Sequence, residues 1–390
     1  MAKAPTLILN AAANRRAPWT DAQDAILSDS GLKAAWAAIR AWDGYRPTPL
    51  HRLSGLADEI GVGDIAYKDE SGRFGLGSFK ALGGAYATSR VVAAAGQAGR
   101  LPKDVTVCCA TDGNHGRSVA WGARMLGCRA VIFIHATVSD GRKRAIEAYG
   151  AEVRRTAGDY DDSVRVAGAV ADAEGWQVVS DTSYAGYLDV PRDVMQGYEV
   201  MAAEAFEALL EPPTHIFLQA GVGGMAAAVA ALAKRRWGDR RPTIVLAEPD
   251  RADCWAASYV AARPTAAKGD LDTIMAGLAC GEVSLLAWDI LETHGDAAMT
   301  LPDEAAAAEM RRLAAPTAGD PAIVAGESAV AGLAALRAAM AAPAMRAELG
   351  LTPTSRVLLF GTEGDTDPEI YRAIVGKSAA EVLTSGGNRQ

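Results

Sequence analysis

Lys80 opens an alanine-rich helical stretch, Lys80–Ala95, directly after a loop with glycine at 72, 75 and 77. Ser78 is placed to cap that helix. The positive end of a helix macrodipole disfavours a cation and lowers the pKa of an amine held there. Only a neutral amine attacks a carbonyl, so this placing suits a Schiff-base lysine. On spacing alone, a solvated surface lysine is the plainer reading.

Three more loops sit where chemistry is done in layered α/β folds, at the carboxyl ends of strands. Ala110-Thr111-Asp112-Gly113-Asn114-His115-Gly116-Arg117 follows the apolar run Val105–Cys109. Asp112 offers a base and Asn114 a neutral donor and acceptor, although the same residues also make an ordinary turn and helix cap. Gln219-Ala220-Gly221-Val222-Gly223-Gly224-Met225-Ala226 follows the run His215–Gln219. Adjacent glycines there let backbone N–H groups approach a phosphate at a helix N-terminus. Gly221, Gly223 and Ala226 also satisfy G-x-G-x-x-A, and Glu248 ends the next strand, so a dinucleotide site and plain helix–strand packing stay open. Phe360-Gly361-Thr362-Glu363-Gly364-Asp365-Thr366-Asp367 is a fourth polar turn and specifies nothing alone.

Other chemistries find no spacing. The five histidines (51, 115, 135, 215 and 294) form no H-x-x-x-H pair, and the five cysteines (108, 109, 128, 254 and 280) form no C-x-x-C, so no metal site is expected. Gly326-Glu327-Ser328-Ala329-Val330 lacks the second glycine of a nucleophile elbow.

The elements that must carry these loops alternate. Strands are expected at Ile65–Lys68, Val105–Cys109, Ala130–Ile134, Glu152–Arg155, Gln177–Ser180, His215–Gln219, Thr243–Glu248 and Arg356–Phe360. Helices are expected at Lys80–Ala95, His115–Leu126, Gly141–Tyr149, Ser163–Glu174, Pro191–Leu210, Met225–Trp237, Pro302–Ala315 and Ser328–Ala341. The repeated strand–helix order argues an α/β fold with open, mostly parallel sheets flanked by helices. At 390 residues the chain holds about two domains. The expected division is a discontinuous large domain, 1–85 with 191–390, and a small inserted domain, 86–190.

Composition narrows the partners. The chain is 50% hydrophobic and 22% charged, with a net charge of −8, which suits neither a nucleic-acid binder nor an anionic-membrane binder. No apolar run reaches the about 18 residues of a membrane span, and the start lacks the order of a signal peptide. An odd cysteine count without pairs fits a reducing cytoplasm.

Together, in this order, the four loops resemble those of the pyridoxal-phosphate enzymes of the tryptophan synthase β family, over about Tyr45 to Gly376. The stretches Asp112–Arg117 and Met275-Ala276-Gly277-Leu278-Ala279-Cys280-Gly281-Glu282 are similar, more narrowly, to the diaminopropionate ammonia-lyase subgroup. Lys68-Asp69-Glu70, Phe79-Lys80, Gly83-Gly84, Ala247-Glu248-Pro249-Asp250 and Gly326-Glu327-Ser328 add to the match.

The resemblance implies pyridoxal 5'-phosphate as cofactor, with Lys80 forming the internal aldimine beside Phe79. Asn114 would hold the ring-hydroxyl side, and Gly221, Val222, Gly223, Gly224 and Met225 the phosphate. A hydroxyl from the Thr362 turn would face the pyridine nitrogen, an arrangement that favours elimination over transamination. Related lyases can carry a hydroxyl or amide residue just before this threonine, where this chain has Gly361.

The implied reaction is α,β-elimination of the small amino acid 2,3-diaminopropionate, through an aminoacrylate, to pyruvate and ammonia. Lys80 and Asp112 would be bases on opposite faces. Asp181, in Ser180-Asp181-Thr182, would bind or discharge the β-ammonium. The resemblance also implies a homodimer. It allows a disulfide between Cys254 and Cys280, with free thiols the better fit to a cytoplasmic enzyme. Three rivals are kept: a related eliminase acting on serine, threonine or 3-hydroxyaspartate; an NAD-dependent dehydrogenase built on Gly221–Ala226; and a non-catalytic pyridoxal-binding sensor.

Overall fold

The computed structural model describes residues 4–111, 113–158, 160–316 and 319–387. Its strands are β1 (Thr6–Leu9), β2 (Leu50–Arg52), β3 (Asp64–Asp69), β4 (Thr106–Ala110), β5 (Arg129–Ile134), β6 (Glu152–Arg155), β7 (Gln177–Val178), β8 (His215–Gln219), β9 (Thr243–Pro249), β10 (Ala297–Leu301) and β11 (Arg356–Gly361). They form two sheets, and the chain divides into two compact units that carry one sheet each.

The first unit comprises Met1–Ala25, Pro47–Gly72 and Ala202–Gln390. Its seven strands run in the order β1-β10-β9-β8-β11-β3-β2. The five central strands are parallel, and β1 and β2 close the edges antiparallel. Every residue of β8 and of β10 is buried, as expected for strands covered on both faces. The core gathers Tyr67, Phe217, Val245, Met299 and Leu359 from the strands with Ala331, Ala335 and Leu336 from the helix Ala331–Ala341. Each large apolar side chain buried this way contributes about 1.5–3 kcal/mol.

The second unit comprises Ile26–Arg46 and Arg73–Met201. Its four parallel strands run β6-β5-β4-β7. The helices Lys80–Gln97 and Asn114–Leu126 pack unusually close. A Cβ on Gly122 would lie 2.8 Å from the Ala85 Cα, so only glycine admits this approach. This unit is larger than the 86–190 segment expected for the small domain, since a cut at Tyr86 falls within the helix Lys80–Gln97.

Each expected strand is present, with ends shifted by a residue or two. The sequence reading passed over β1, β2 and β10. The fold class is that expected: two open, mostly parallel sheets flanked by helices. No helix among the described residues is long and apolar enough to cross a membrane.

Candidate active site

In the second unit Lys80 is the first residue of its helix. Ser78 does not cap it: Phe79 occupies the N-cap position, with no side-chain cap bond. The Leu82 N–H turns back to the Phe79 carbonyl at 2.9 Å. The Lys80 Nζ donates to the Asp181 Oδ2, and both side chains are largely buried, at 19% and 15% exposure. Two aromatic rings flank the amine, with the Phe79 and Tyr198 centroids 5.5 and 5.7 Å from Nζ. Tyr198 belongs to the helix Asp189–Ala208, which reaches the Lys80 helix through glycine. A Cβ on Gly197 would stand 2.2 Å from the Leu82 carbonyl oxygen, and one on Gly83 2.3 Å from the Tyr198 ring.

Asp181 follows β7, the parallel neighbour of β4. Burial works to raise its pKa, but the Lys80 charge, His115 and the Lys80 hydrogen bond outweigh that and hold the carboxyl well below the usual carboxylate range. It stays an anion at any physiological pH, so it can bind a cation but is a poor proton donor while Lys80 is charged. His115 lies beside it, with Nδ1 3.8 Å from the Asp181 Oδ2 and Nε2 2.7 Å from the Val179 carbonyl oxygen. Burial pushes the His115 pKa down and Lys80 adds to that, against the pull of Asp181, which favours the neutral ring. Asn114 begins the helix Asn114–Leu126, and the Thr111 hydroxyl organises the turn before it by accepting from the Gly113 and Gly116 N–H groups at 3.0 and 3.1 Å. Asp112 lies outside the described residues.

In the first unit the glycine loop follows β8 and the Thr362 turn follows the adjacent β11, so both lie at one carboxyl edge. Gly223 caps the helix Gly224–Trp237 with φ +96°, and no side chain caps that helix. A Cβ at Gly223 would lie 2.1 Å from the Trp255 ring, and one at Gly221 2.9 Å from the Cys280 Sγ. The loop is anchored from behind. The Trp255 Nε1 donates to the Gly221 carbonyl at 2.9 Å, and the Ser284 N–H to the Val222 carbonyl at 2.9 Å. Met225 is buried in the first turn. Thr362 is buried too, with its Oγ1 3.5 Å from the Gln219 Nε2.

The motifs grouped with these also meet in space. The Gly277 N–H donates to the Ser328 Oγ at 3.0 Å, and the Ser328 N–H to the Glu363 Oε1 at 3.0 Å. Gly361 is explained by packing, because a Cβ there would lie 2.3 Å from the Tyr67 hydroxyl. The dinucleotide reading needed Glu248 open to a ribose. Instead Glu248 is fully buried, and its two oxygens accept the Trp255 and Ala256 N–H groups at 2.9 and 2.7 Å. No disulfide joins Cys254 to Cys280, and the Cys254 Sγ lies 3.7 Å from the Gly221 carbonyl oxygen.

The fold brings Lys80 and Asp181 together across 101 residues of chain. Sequence reasoning missed His115 as a neighbour of Asp181, Tyr198 beside Lys80, Gln219 beside Thr362 and Trp255 behind the glycine loop. His115 and Gln219 carried a signal, since they share the Asp112–Arg117 turn and the Gln219–Ala226 glycine stretch; Tyr198 and Trp255 carried none.

A family model described as "Pyridoxal-phosphate dependent enzyme" matches residues 41–359. The diaminopropionate ammonia-lyase of Escherichia coli K12 is 40% identical over 373 residues, covering 91% of this chain and 94% of that one. That of Salmonella typhimurium LT2 is 40% identical over 362 residues, covering 86% and 90%. The crystal structure of the Escherichia coli enzyme with an aminoacrylate–pyridoxal phosphate azomethine intermediate superposes with a TM-score of 0.88 at 38% identity, covering 96% of this chain and 97% of that one. Identity of this level along nearly the whole of both chains, with the same fold, means that the chain belongs to the pyridoxal-phosphate-dependent enzymes and, within them, to the diaminopropionate ammonia-lyase family.

Proposed function

We propose that the chain eliminates ammonia from 2,3-diaminopropionate. With one water, the substrate becomes pyruvate and two ammonia molecules. The observation that carries the reading is the Lys80–Asp181 pair: an amine fit to meet a carbonyl stands beside a carboxylate fit to meet an ammonium.

The residues fit pyridoxal phosphate. Gly221 and Gly223, having no side chains, let the loop lie against Cys280 and Trp255 at the start of a 14-residue helix that no side chain caps. Backbone N–H groups from Gly221 to Met225 would hold the phosphate. Lys80 would hold the aldehyde carbon, with Phe79 beside it, Asn114 toward the ring hydroxyl and Thr362 toward the ring nitrogen. When bound, the cofactor supplies an electron sink for the carbanion left at the α-carbon.

The chain's own groups would do the rest. The Lys80 amine, once neutral, would take the α-proton on one face and Asp112 on the other, which would admit both enantiomers. Asp181 would bind the substrate β-ammonium, because a carboxylate held this firmly ionised complements a cation. When Lys80 gives up its charge, burial is left as the largest influence on Asp181 and pushes its carboxyl up. The same group would then be better able to pass a proton to the departing nitrogen.

On the same resemblance the chain is proposed to act as a cytoplasmic homodimer. The test is an absorbance spectrum of the purified protein before and after D- and L-2,3-diaminopropionate, with pyruvate followed by a coupled assay. A visible band that shifts on addition, with pyruvate released, is the expected result. Pyruvate from serine but none from diaminopropionate would move the leaving group to hydroxyl. No band after reconstitution would overturn the reading.

A further inference from the structure

Tyr198 is 1% exposed, and its hydroxyl makes no well-aligned hydrogen bond among the described residues, although Lys80 is near enough to act on it as a hydrogen-bonding neighbour. Phenylalanine would fill the same space without burying that oxygen, and a buried unmet hydroxyl is costly. The ring is held tightly. Its centroid lies 4.6 Å from that of Phe79, and the bare Gly83 lets it lie against the Lys80 helix one turn from the amine. Among the described residues, the groups that face Lys80 include Phe79 beside it, Asp181 after β7, His115 on the helix Asn114–Leu126, and Tyr198. The Lys80 charge and the Asp181 charge both act on the Tyr198 phenol.

A carboxylate can only accept from Lys80, so Asp181 favours the ammonium. A phenol can donate to an amine lone pair, which only the neutral form possesses. We propose that Tyr198 is a positioning residue that donates a hydrogen bond to the neutral Lys80 amine, opposite in sense to Asp181, and so holds the reactive form in place. Tyr198 is then the partner of the neutral amine, as Asp181 is of the ammonium. This inference rests on the reading of Lys80 as the amine that holds pyridoxal phosphate.

Tyr198→Phe keeps the ring and removes only the oxygen. In the holoenzyme, kcat should fall about ten-fold with little change in KM, the loss of one hydrogen bond in the reacting state. In the full-length apo-protein, acetylation of Lys80 by acetic anhydride, followed by mass spectrometry across pH, should show its midpoint raised by about one unit. A fluorinated tyrosine at 198, a stronger donor that keeps the fold, should move the midpoint down. Unchanged midpoints in both variants would overturn the proposal, whether or not kcat falls. Failure of the wild-type protein to form the absorbance band would overturn the underlying reading instead, and the two failures are told apart by that band.

Discussion

Gly223→Ala places one methyl group where the structure leaves no room. The backbone there has φ +96°, which costs an L-residue about 1–2 kcal/mol. The added Cβ would stand 2.1 Å from the Trp255 Cζ2, well inside the about 3.5–4.0 Å of an ordinary carbon–carbon contact. Trp255 cannot easily yield. It is fully buried, its Nε1 is bonded to the Gly221 carbonyl, and its ring stacks on Trp288 at 6.1 Å. Overpacking of this kind costs about 1–3 kcal/mol, so the loop must shift, and its N–H groups shift with it. The sum is about 2–5 kcal/mol, and with about 2–4 kcal/mol of it taken from phosphate binding, a cofactor Kd about 30- to 1,000-fold higher is expected. The assay is titration of the apo-protein with pyridoxal phosphate by absorbance. Gly238→Ala is the control. It lies at the other end of the same helix with φ +58° and nothing within 4 Å of its Cβ, so it carries the backbone cost without the clash. Unaltered affinity in Gly223→Ala, or an equal loss in Gly238→Ala, would refute the assignment of this loop to the phosphate.

Other predictions follow from the same geometry. Lys80→Met should abolish the absorbance band and turnover, and should move the Asp181 titration up, because burial then acts without the opposing charge; a carboxyl titration by infrared spectroscopy reads the shift. Gly361→Ser should destabilise by about 1–3 kcal/mol through its clash with Tyr67, and Tyr67→Phe should return part of that loss in a double-mutant cycle of thermal melts. Burial, partly offset by the Trp255 and Ala256 N–H groups, pushes the Glu248 carboxyl up to about 8. Between about pH 4.3 and 8 the folded chain therefore holds a proton that the unfolded chain has released, so this group's contribution to stability falls as pH rises, by about 1.4 kcal/mol per unit inside that window. Glu248→Gln should flatten that dependence in unfolding midpoints measured from pH 5 to 8, and an unchanged slope would show that Glu248 is ionised throughout.

The parts of the molecule legible in the sequence are those where local chemistry and global position agree. β8, β9 and β11 are apolar runs rich in β-branched and aromatic residues, each followed by a turn of glycine or polar residues. β10 was illegible because Ala297-Ala298-Met299-Thr300-Leu301 has almost no intrinsic strand preference. Its place between β1 and β9, buried on both faces, makes it a strand. β2 has only three residues and exists by pairing with β3. The site divides in the same way. Lys80, Asn114 and the glycine loop are marked by their own neighbours in sequence, whereas Tyr198 and Trp255 are marked only by the glycines that let them approach.

Gly361 shows why such glycines must be read from both sides. Beside Thr362 it looks like a position stripped of a polar side chain, and so like a departure from related lyases. In the fold its missing side chain is the space taken by Tyr67, whose hydroxyl is itself buried at the end of β11. The two positions are one packing decision made on adjacent strands, β3 and β11, and separated by nearly three hundred residues. A substitution at either one alone therefore measures a clash or a cavity, and the contribution of each side chain is defined only by changing both.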